Sequence, residues 1–459
     1  MIDSTRRKLL AAAALAGSVP LAPAGAATAA ATAATATAQA RKPRPGKGGL
    51  APAPPMGWNS WNSFATTINE AQALDNARIM AEKLLPFGYN VFTVDIQWYE
   101  PNANSYTYRE NAELSMDEYG RLLPAPNRFP TGFASLAARI HGMGMQFGIH
   151  LMRGIPRQAV QRNTKILGTP YRARDIANTD SICAWNGDMY GVDMSKPGAQ
   201  AYYDSVFKLY ASWGVDFVKM DDMSRPYALN WPEVEAAHRA IGASGRPIVL
   251  SLSPGEMDLR WAGHVPQYAQ MWRVSDDFWD EWKLLKEQFE RLERWNPFMG
   301  ANSWPDADML PLGRLALGER DTKFTRDEQR TLMTLWSIAR SPLIMGGDLR
   351  HLDPWTLELL TNPEVLAINQ RAVDSRPHQA EPDTRIWSAR PAGGKGHYLA
   401  LFNTGDKPAE LAFDLSRLDL GGRRVACRDV WARRDLPAVT GTLRPSIPAH
   451  GSVLLHLAG

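Results

Sequence analysis

Phe217-Val218-Lys219-Met220-Asp221-Asp222 reads as a buried strand that runs out of apolar residues and ends on two carboxylates. Lys219 and Asp221 are two positions apart, so on a strand they project to the same side, and the ammonium favours the ionised acid. Arg273-Val274-Ser275-Asp276-Asp277, with Asp280 shortly after, forms a second acidic cluster behind another apolar run. Two carboxylates facing across a pocket are what hydrolysis of a glycosidic bond requires. In a retaining enzyme an ionised nucleophile and a protonated acid stand roughly 5 to 5.5 Å apart. Asp221 suits the nucleophile. Asp276, Asp277 and Asp280 are alternatives for the acid that periodicity does not separate, and Asp222 is equally readable as a turn or cap. Trp58, Trp98, Trp185 and Trp304 fall near the same strand ends, where flat rings stack on sugar C–H faces; each alone is commonly core packing.

Rival chemistries find less support. A hydrolytic metal centre calls for His and acid ligands at fixed spacing, yet no HxH or HExxH occurs and His150 is the one histidine placed at a strand end. No metal and no cofactor is expected. A formal charge of +3, from 51 basic and 48 acidic residues without a Lys/Arg run, argues against a nucleic-acid partner. A sugar-binding barrel that had lost catalysis would lack one of the two acids, and both are present.

The elements that must position these groups alternate along the chain. Eight apolar runs read as strands: 56–60, 91–95, 146–150, 217–221, 248–253, 270–275, a weak one within 298–304, and 342–345. Amphipathic segments at 68–85, 132–143, 197–213, 327–340 and 356–360 read as helices between and after them. This pattern predicts an α/β fold, a (β/α)8 TIM barrel over 41–371, opened by a Pro/Gly-rich linker at 41–50. A doubly wound sheet would carry a Gly-rich phosphate turn, and neither GxGxxG nor GxxxxGK[ST] is in place. In a barrel the chemistry sits at the carboxyl ends of the strands. The candidates there are Trp58, Asp95, His150, Lys219, Asp221, Ser253, Arg273, Asp277, Asp306 and Asp308.

Short alternating runs separated by Gly, Pro and Asp turns predict a C-terminal antiparallel β-sandwich domain over 372–459. Residues 1–40 differ from the rest: Ser4-Thr5-Arg6-Arg7-Lys8 precedes an Ala/Leu stretch, small residues and an Ala/Thr tract. They read as a twin-arginine signal with a linker, which implies export to the periplasm or medium and no membrane association after cleavage. With only Cys183 and Cys427 in 459 residues, no disulfide framework is expected.

Several of these motifs resemble glycoside hydrolase family 27, the α-galactosidase and α-N-acetylgalactosaminidase family. Pro54-Pro55-Met56-Gly57-Trp58-Asn59-Ser60-Trp61 is similar to its opening strand, and Trp213-Gly214-Val215-Asp216-Phe217-Val218-Lys219-Met220-Asp221 to its nucleophile strand. Trp304-Pro305-Asp306-Ala307-Asp308-Met309-Leu310 resembles its late sugar-contacting segment, and Arg340-Ser341-Pro342-Leu343-Ile344-Met345-Gly346-Gly347-Asp348-Leu349 its eighth strand. The resemblance implies Asp221 as nucleophile, Asp277, four after Arg273, as acid/base, and Asp308 as a hydroxyl ligand. It implies release of terminal α-D-galactosyl residues from an oligosaccharide or glycoside. The implied substrate-binding residues are Trp58, Asp95, Ile96, His150, Cys183, Lys219, Ser253, Arg273 and Asp308.

The chain departs from that family at informative places. The second strand of relatives ends in two adjacent acids that hold the galactose 4- and 6-hydroxyls, whereas Asp95 is here followed by Ile96. Ile96 leaves a hydroxymethyl group poorly satisfied and suits β-L-arabinopyranose, which has the galactose hydroxyl pattern without that group. Ser253 stands where galactosidases carry a Glu for the 2-hydroxyl and resembles the arrangement that admits a 2-acetamido group. His150 stands where a Tyr is common. Met223 replaces a Cys that pairs across the nucleophile turn, which leaves Cys183 unpaired.

Overall fold

A computed structural model describes residues 49–458; the signal-like segment and most of the linker lie outside the described residues. Strands β1 (Met56–Asn59), β2 (Val91–Val94), β3 (Gln146–Met152), β4 (Phe217–Asp221), β5 (Val249–Leu252), β6 (Met271–Arg273), β7 (Trp304–Asp306) and β8 (Leu343–Met345) form one parallel sheet in chain order. β1 pairs with β8, and just beyond β7 Leu310 bridges Met345 in parallel, its N–H donating to the Ile344 carbonyl at 2.7 Å. These links curl the eight-stranded sheet into a TIM-like barrel.

Outside the sheet run α1 (Glu70–Lys83), α2 (Gly132–Gly142), α3 (Ala199–Trp213), α4 (Tyr227–Ala243), α5 (Trp282–Trp295) and α6 (Arg326–Ile338), followed by α7 (Pro354–Thr361) and α8 (Pro363–Arg371). Their ends follow from local chemistry. Asn69 with Gln72 and Thr325 with Glu328 close reciprocal capping boxes at the starts of α1 and α6, and Asp353 and Asn362 cap helices that open on proline. Between β5 and β6 there is no α-helix, only short 3-10 turns at Leu259–Trp261 and Val265–Gln267.

One sequence expectation needs correction, and two features of the fold had no counterpart in the sequence reading. The seventh strand begins at Trp304 instead of ending there, because Asn296–Phe298 forms a 3-10 turn and Gly300 bridges Ser303 in a tight reversal. α4, α5 and α8 were not among the expected helices. A three-stranded antiparallel insert (Ile155–Pro156, Ala177–Ile182 and Met189–Val192) also follows β3 without a sequence expectation. Two of its strands have only two and four residues and the longest, Ala177–Ile182, is largely polar, which gives little periodic signal.

The barrel interior is layered by the two-residue period of its strands. Ala51, Val91, Phe217, Val249, Met271 and Trp304 form an apolar plug at the amino ends. One step up, Thr93, Lys219, Ser251, Arg273 and Asp306 line a further space inside the barrel. Another step up stand Asp95, Asp221 and Ser253.

Strands β9 (Val373–Glu381), β10 (Thr384–Arg390), β11 (His397–Asn403), β12 (Val425–Asp429), β13 (Arg434–Val439) and β14 (Ser452–Ala458) make the C-terminal antiparallel sheet, in the order β9-β10-β11-β14-β12-β13. Ala409–Glu410 and Phe413–Asp414 each pair with a two-residue strand and cover the sheet's outer face. Alternation divides the domain's apolar residues. Trp387, Ala400, Phe402 and Leu454 join the barrel's core, whereas Ile386, Leu399, Leu401 and Leu455 build a separate one. Docking on α6 is polar as well as apolar: Thr331 donates to the His450 carbonyl at 2.7 Å, and Trp431 Nε1 donates to the Thr334 hydroxyl at 2.9 Å.

Candidate active site

An open cavity enclosing about 270 Å³ lies at the carboxyl ends of the barrel strands, lined by Trp61, Asp95, Ile96, Tyr108, Lys219, Asp221, Pro254 and Asp277. Five of the expected site residues therefore meet there. Ser253, Arg273 and Asp308 line the internal space beneath, which shares Lys219 with the cavity. His150 reaches the site from β3, its Nε2 3.3 Å from Asp221 Oδ2.

Asp221 is held ionised. Burial alone would raise its pKa, but His150, the Lys219 ammonium and the Ser253 hydroxyl, which donates to Oδ1 at 3.1 Å, lower it to about 2. Lys219 itself pairs more closely with Asp95, at 2.9 Å, than with the acid two residues ahead of it. Asp95 also accepts from Asn59 Nδ2 at 2.7 Å; against the effect of burial, Lys219, His150 and Asn59 keep its carboxyl below the ordinary range. Backbone hydrogen bonds fix β4 between its neighbours: Met152 pairs with Asp221 and Lys219 with Ser251.

The three candidate acids separate cleanly. Asp276 forms a forked, exposed ion pair with Arg225 at 2.6 and 3.0 Å. Asp280 is buried against Arg320 and the Lys323 N–H. Asp277 faces the cavity, one-third exposed, with Arg273 Nη2 at 3.4 Å. The same Arg273 Nη2 pairs with Asp308 Oδ2 at 2.8 Å, and that Asp308 oxygen also accepts the Phe278 N–H at 2.7 Å. Asp308 is thus committed to ordering the segment that carries Asp277. Burial raises the pKa of Asp308, and it raises that of neighbouring Asp306 to about 7 against the pull of Arg273. Among the described residues no group of three His, Cys, Asp or Glu side chains is arranged to hold a metal ion.

Other expected contacts are packing residues. Trp58 is fully buried, stacks on Phe92 with ring centroids 4.7 Å apart and donates to the Gly347 carbonyl; the pocket-lining tryptophan is Trp61. Trp98 is likewise buried, donating to the His150 carbonyl, and Trp304 caps the bottom of the barrel through the Ala51 carbonyl. Cys183 is buried, unbonded to Cys427 and outside the cavity lining; burial pushes its thiol up. Asp222 is neither a free turn residue nor a helix cap: its carboxylate is buried against Arg153 at 2.7 Å.

The sequence reading missed Trp61, Tyr108 and Pro254. Trp61 begins a short helix, Trp61–Phe64, directly after β1, and its ring runs nearly parallel to that of Tyr108, 13° apart. Tyr108 lies in the long β2–α2 connection, where the alternation Tyr106-Thr107-Tyr108 was the available signal. Pro254 follows Ser253 directly.

A barrel whose strand ends present an ionised carboxylate and a second carboxyl group around one cavity has the architecture of a glycosidase. The profile of the family described as alpha galactosidase A matches residues 53–193 and 186–371, and that of the alpha galactosidase C-terminal beta sandwich domain matches 381–457. A family 27 β-L-arabinopyranosidase from Geobacillus stearothermophilus superposes with a TM-score of 0.87 at 49% identity, over 89% of this chain and 97% of that one. A Bacillus halodurans protein provisionally named an alpha-N-acetylgalactosaminidase is 47% identical, with a TM-score of 0.80 over 88% and 97% of the two chains. The alpha-galactosidase of Coffea arabica is 29% identical over 88% of this chain and 93% of its own. The chain belongs to glycoside hydrolase family 27, and its enzymatic class is that of a glycoside hydrolase.

Proposed function

We propose that the protein is a retaining exo-glycosidase that removes terminal β-L-arabinopyranosyl residues, with α-D-galactosides as poorer substrates. Asp277 protonates the glycosidic oxygen as Asp221 attacks the anomeric carbon, and the C–O bond to the leaving group breaks. Asp277, now ionised, takes a proton from water, whose oxygen displaces Asp221 and regenerates both groups. Asp95 accepts a sugar hydroxyl, with Lys219 holding that carboxylate ionised.

The observation that carries the sugar preference is Ile96, fully buried in the cavity wall beside Asp95. A hydroxymethyl group set against it would leave a hydroxyl without a partner, at a cost of about 1–3 kcal/mol, or roughly 5- to 150-fold in specificity. A pentopyranoside avoids that cost. The likeness to the Geobacillus arabinopyranosidase supports the same reading. Ser253, the basis for admitting an acetamido group, spends its hydroxyl on Asp221.

The test is a side-by-side assay of p-nitrophenyl β-L-arabinopyranoside, α-D-galactoside and α-N-acetylgalactosaminide on the wild type and Ile96→Asp. The pentoside is expected to show the highest kcat/KM, and Ile96→Asp to shift the galactoside-to-pentoside ratio upward by about tenfold or more. A wild type that prefers either hexoside, or an unmoved ratio in the variant, contradicts the assignment. No turnover of any substrate favours a sugar-binding protein instead.

The same proposal includes export by the twin-arginine route, supported by Arg6-Arg7 and the apolar stretch that follows.

A further inference from the structure

We propose that Arg153 is a positioning residue for the nucleophile, clamping the Asp221–Asp222 turn through a buried cluster with Asp222 and Glu233. The inference rests on Asp221 being the nucleophile. Arg153 directly follows β3 and lies beside the end of β4, where its N–H donates to the Asp221 carbonyl at 3.0 Å. Its Nε donates to both the Asp222 carbonyl at 3.1 Å and Asp222 Oδ2 at 3.0 Å, and Nη2 reaches the same oxygen at 2.7 Å. Nη1 donates to Glu233 Oε1 at 2.7 Å. Asn230 adds a donor to the Asp222 carbonyl at 2.8 Å, so both peptide carbonyls of the turn are tied down.

The cluster is anchored from behind. Glu233 Oε2 accepts the Tyr203 hydroxyl from α3 and the Val192 N–H from the insert. Arg153, Asp222 and Glu233 expose 6%, 7% and 5% of their side chains, so one buried guanidinium serves two buried carboxylates. Such a cluster is a poor means of stabilising a fold, because desolvation consumes most of the Coulombic gain. Asp222 also occupies a left-handed conformation, φ 60°, that glycine would adopt at less cost. What the carboxylate supplies is a partner that gives the guanidinium fork a fixed direction.

The clamp depends on Asp222 being ionised. Four groups from different elements face it: Arg153 after β3, Glu233 on α4, Asp221 on β4 and the Cys183 thiol between the second and third strands of the insert. Burial, aided by the two acids, raises Asp222 to about 6 despite Arg153. As the pH falls through 6 the fork loses its charged partner, so kcat/KM falls on that side while Asp221 is still ionised.

Asp222→Asn keeps the shape and removes the charge. It is expected to lower kcat about 10- to 100-fold, with KM within about twofold of wild type, and to abolish the activity step near pH 6. Arg153→Met would strand two buried acids and endanger folding, so Arg153→Lys is the companion variant; an ammonium lacks the fork and should give the same kcat loss in a folded protein. Asp222→Asn with wild-type kcat and an unchanged acid limb overturns the proposal. So does Arg153→Lys with a lowered Tm and normal kcat, which would make the cluster structural alone. Asp221→Asn measured alongside separates the two claims: if it remains active the nucleophile assignment has failed, and if it is inactive while Asp222→Asn is normal only the clamp has.

Discussion

Asp221→Asn should lower kcat on an aryl pentoside by about 10⁴-fold, or roughly 5.4 kcal/mol of transition-state stabilisation. The loss follows from what the amide cannot do. It is a poor nucleophile and carries no negative charge beside the cationic transition state, whereas the native carboxylate is ionised throughout the working pH range because its pKa is about 2. The fold should survive. A pKa below the ordinary value means that the ionised form stabilises the protein above pH 4, and that this contribution disappears as the pH falls through 2. Asparagine forfeits it, about 2 kcal/mol, which appears as a Tm lowered by several degrees and not as an unfolded chain. Circular dichroism melts beside single-substrate kinetics check both halves; near-normal turnover would remove Asp221 from the mechanism.

Asp277→Ala has the second-largest expected effect, and its size should depend on the leaving group. An aryl group such as p-nitrophenolate departs with little protonic help, so its first step is expected to slow only about tenfold. An alkyl or oligosaccharide glycoside, which needs the proton, should lose about 10³-fold. Arg273 and Asp308 make this test clean: they pair with each other at 2.8 Å, so the substitution leaves Arg273 with a charged partner. Equal losses on both kinds of substrate would show that Asp277 binds or orders the site and does not transfer the proton.

Much of this arrangement was legible in the chain because barrel strands convert spacing into direction. Lys219 and Asp221 were placed on one side of a strand, and the structure points both into the barrel. Their pairing was not legible. Lys219 turns to Asp95, 124 residues away, and His150 and Ser253 supply most of the direct contacts to Asp221. Such partnerships are set by the register of β2, β3, β4 and β5, which no local pattern encodes.

The acid cluster shows the same limit. Asp276, Asp277 and Asp280 are alike in sequence, and only their distant partners, Arg225 on a loop and Arg320 on the short strand Arg320–Asp321, withdraw two of them from the cavity. Tryptophans were misjudged for a related reason. Trp58 lies on a strand whose neighbours bury it completely, whereas Trp61 falls in the short helix beyond the strand and faces the opening. Asp222 reads as a turn or cap because aspartate favours both; its buried partner Arg153 comes from 69 positions earlier.

The most direct test of a retaining pentosidase is a proton NMR time course of the wild-type enzyme on p-nitrophenyl β-L-arabinopyranoside, recorded before mutarotation scrambles the product. Double displacement through Asp221 predicts that the β-anomer of arabinopyranose forms first and the α-anomer grows in later. An α-anomer formed first would contradict the mechanism, and an inert pentoside beside a hydrolysed galactoside would contradict the role given to Ile96.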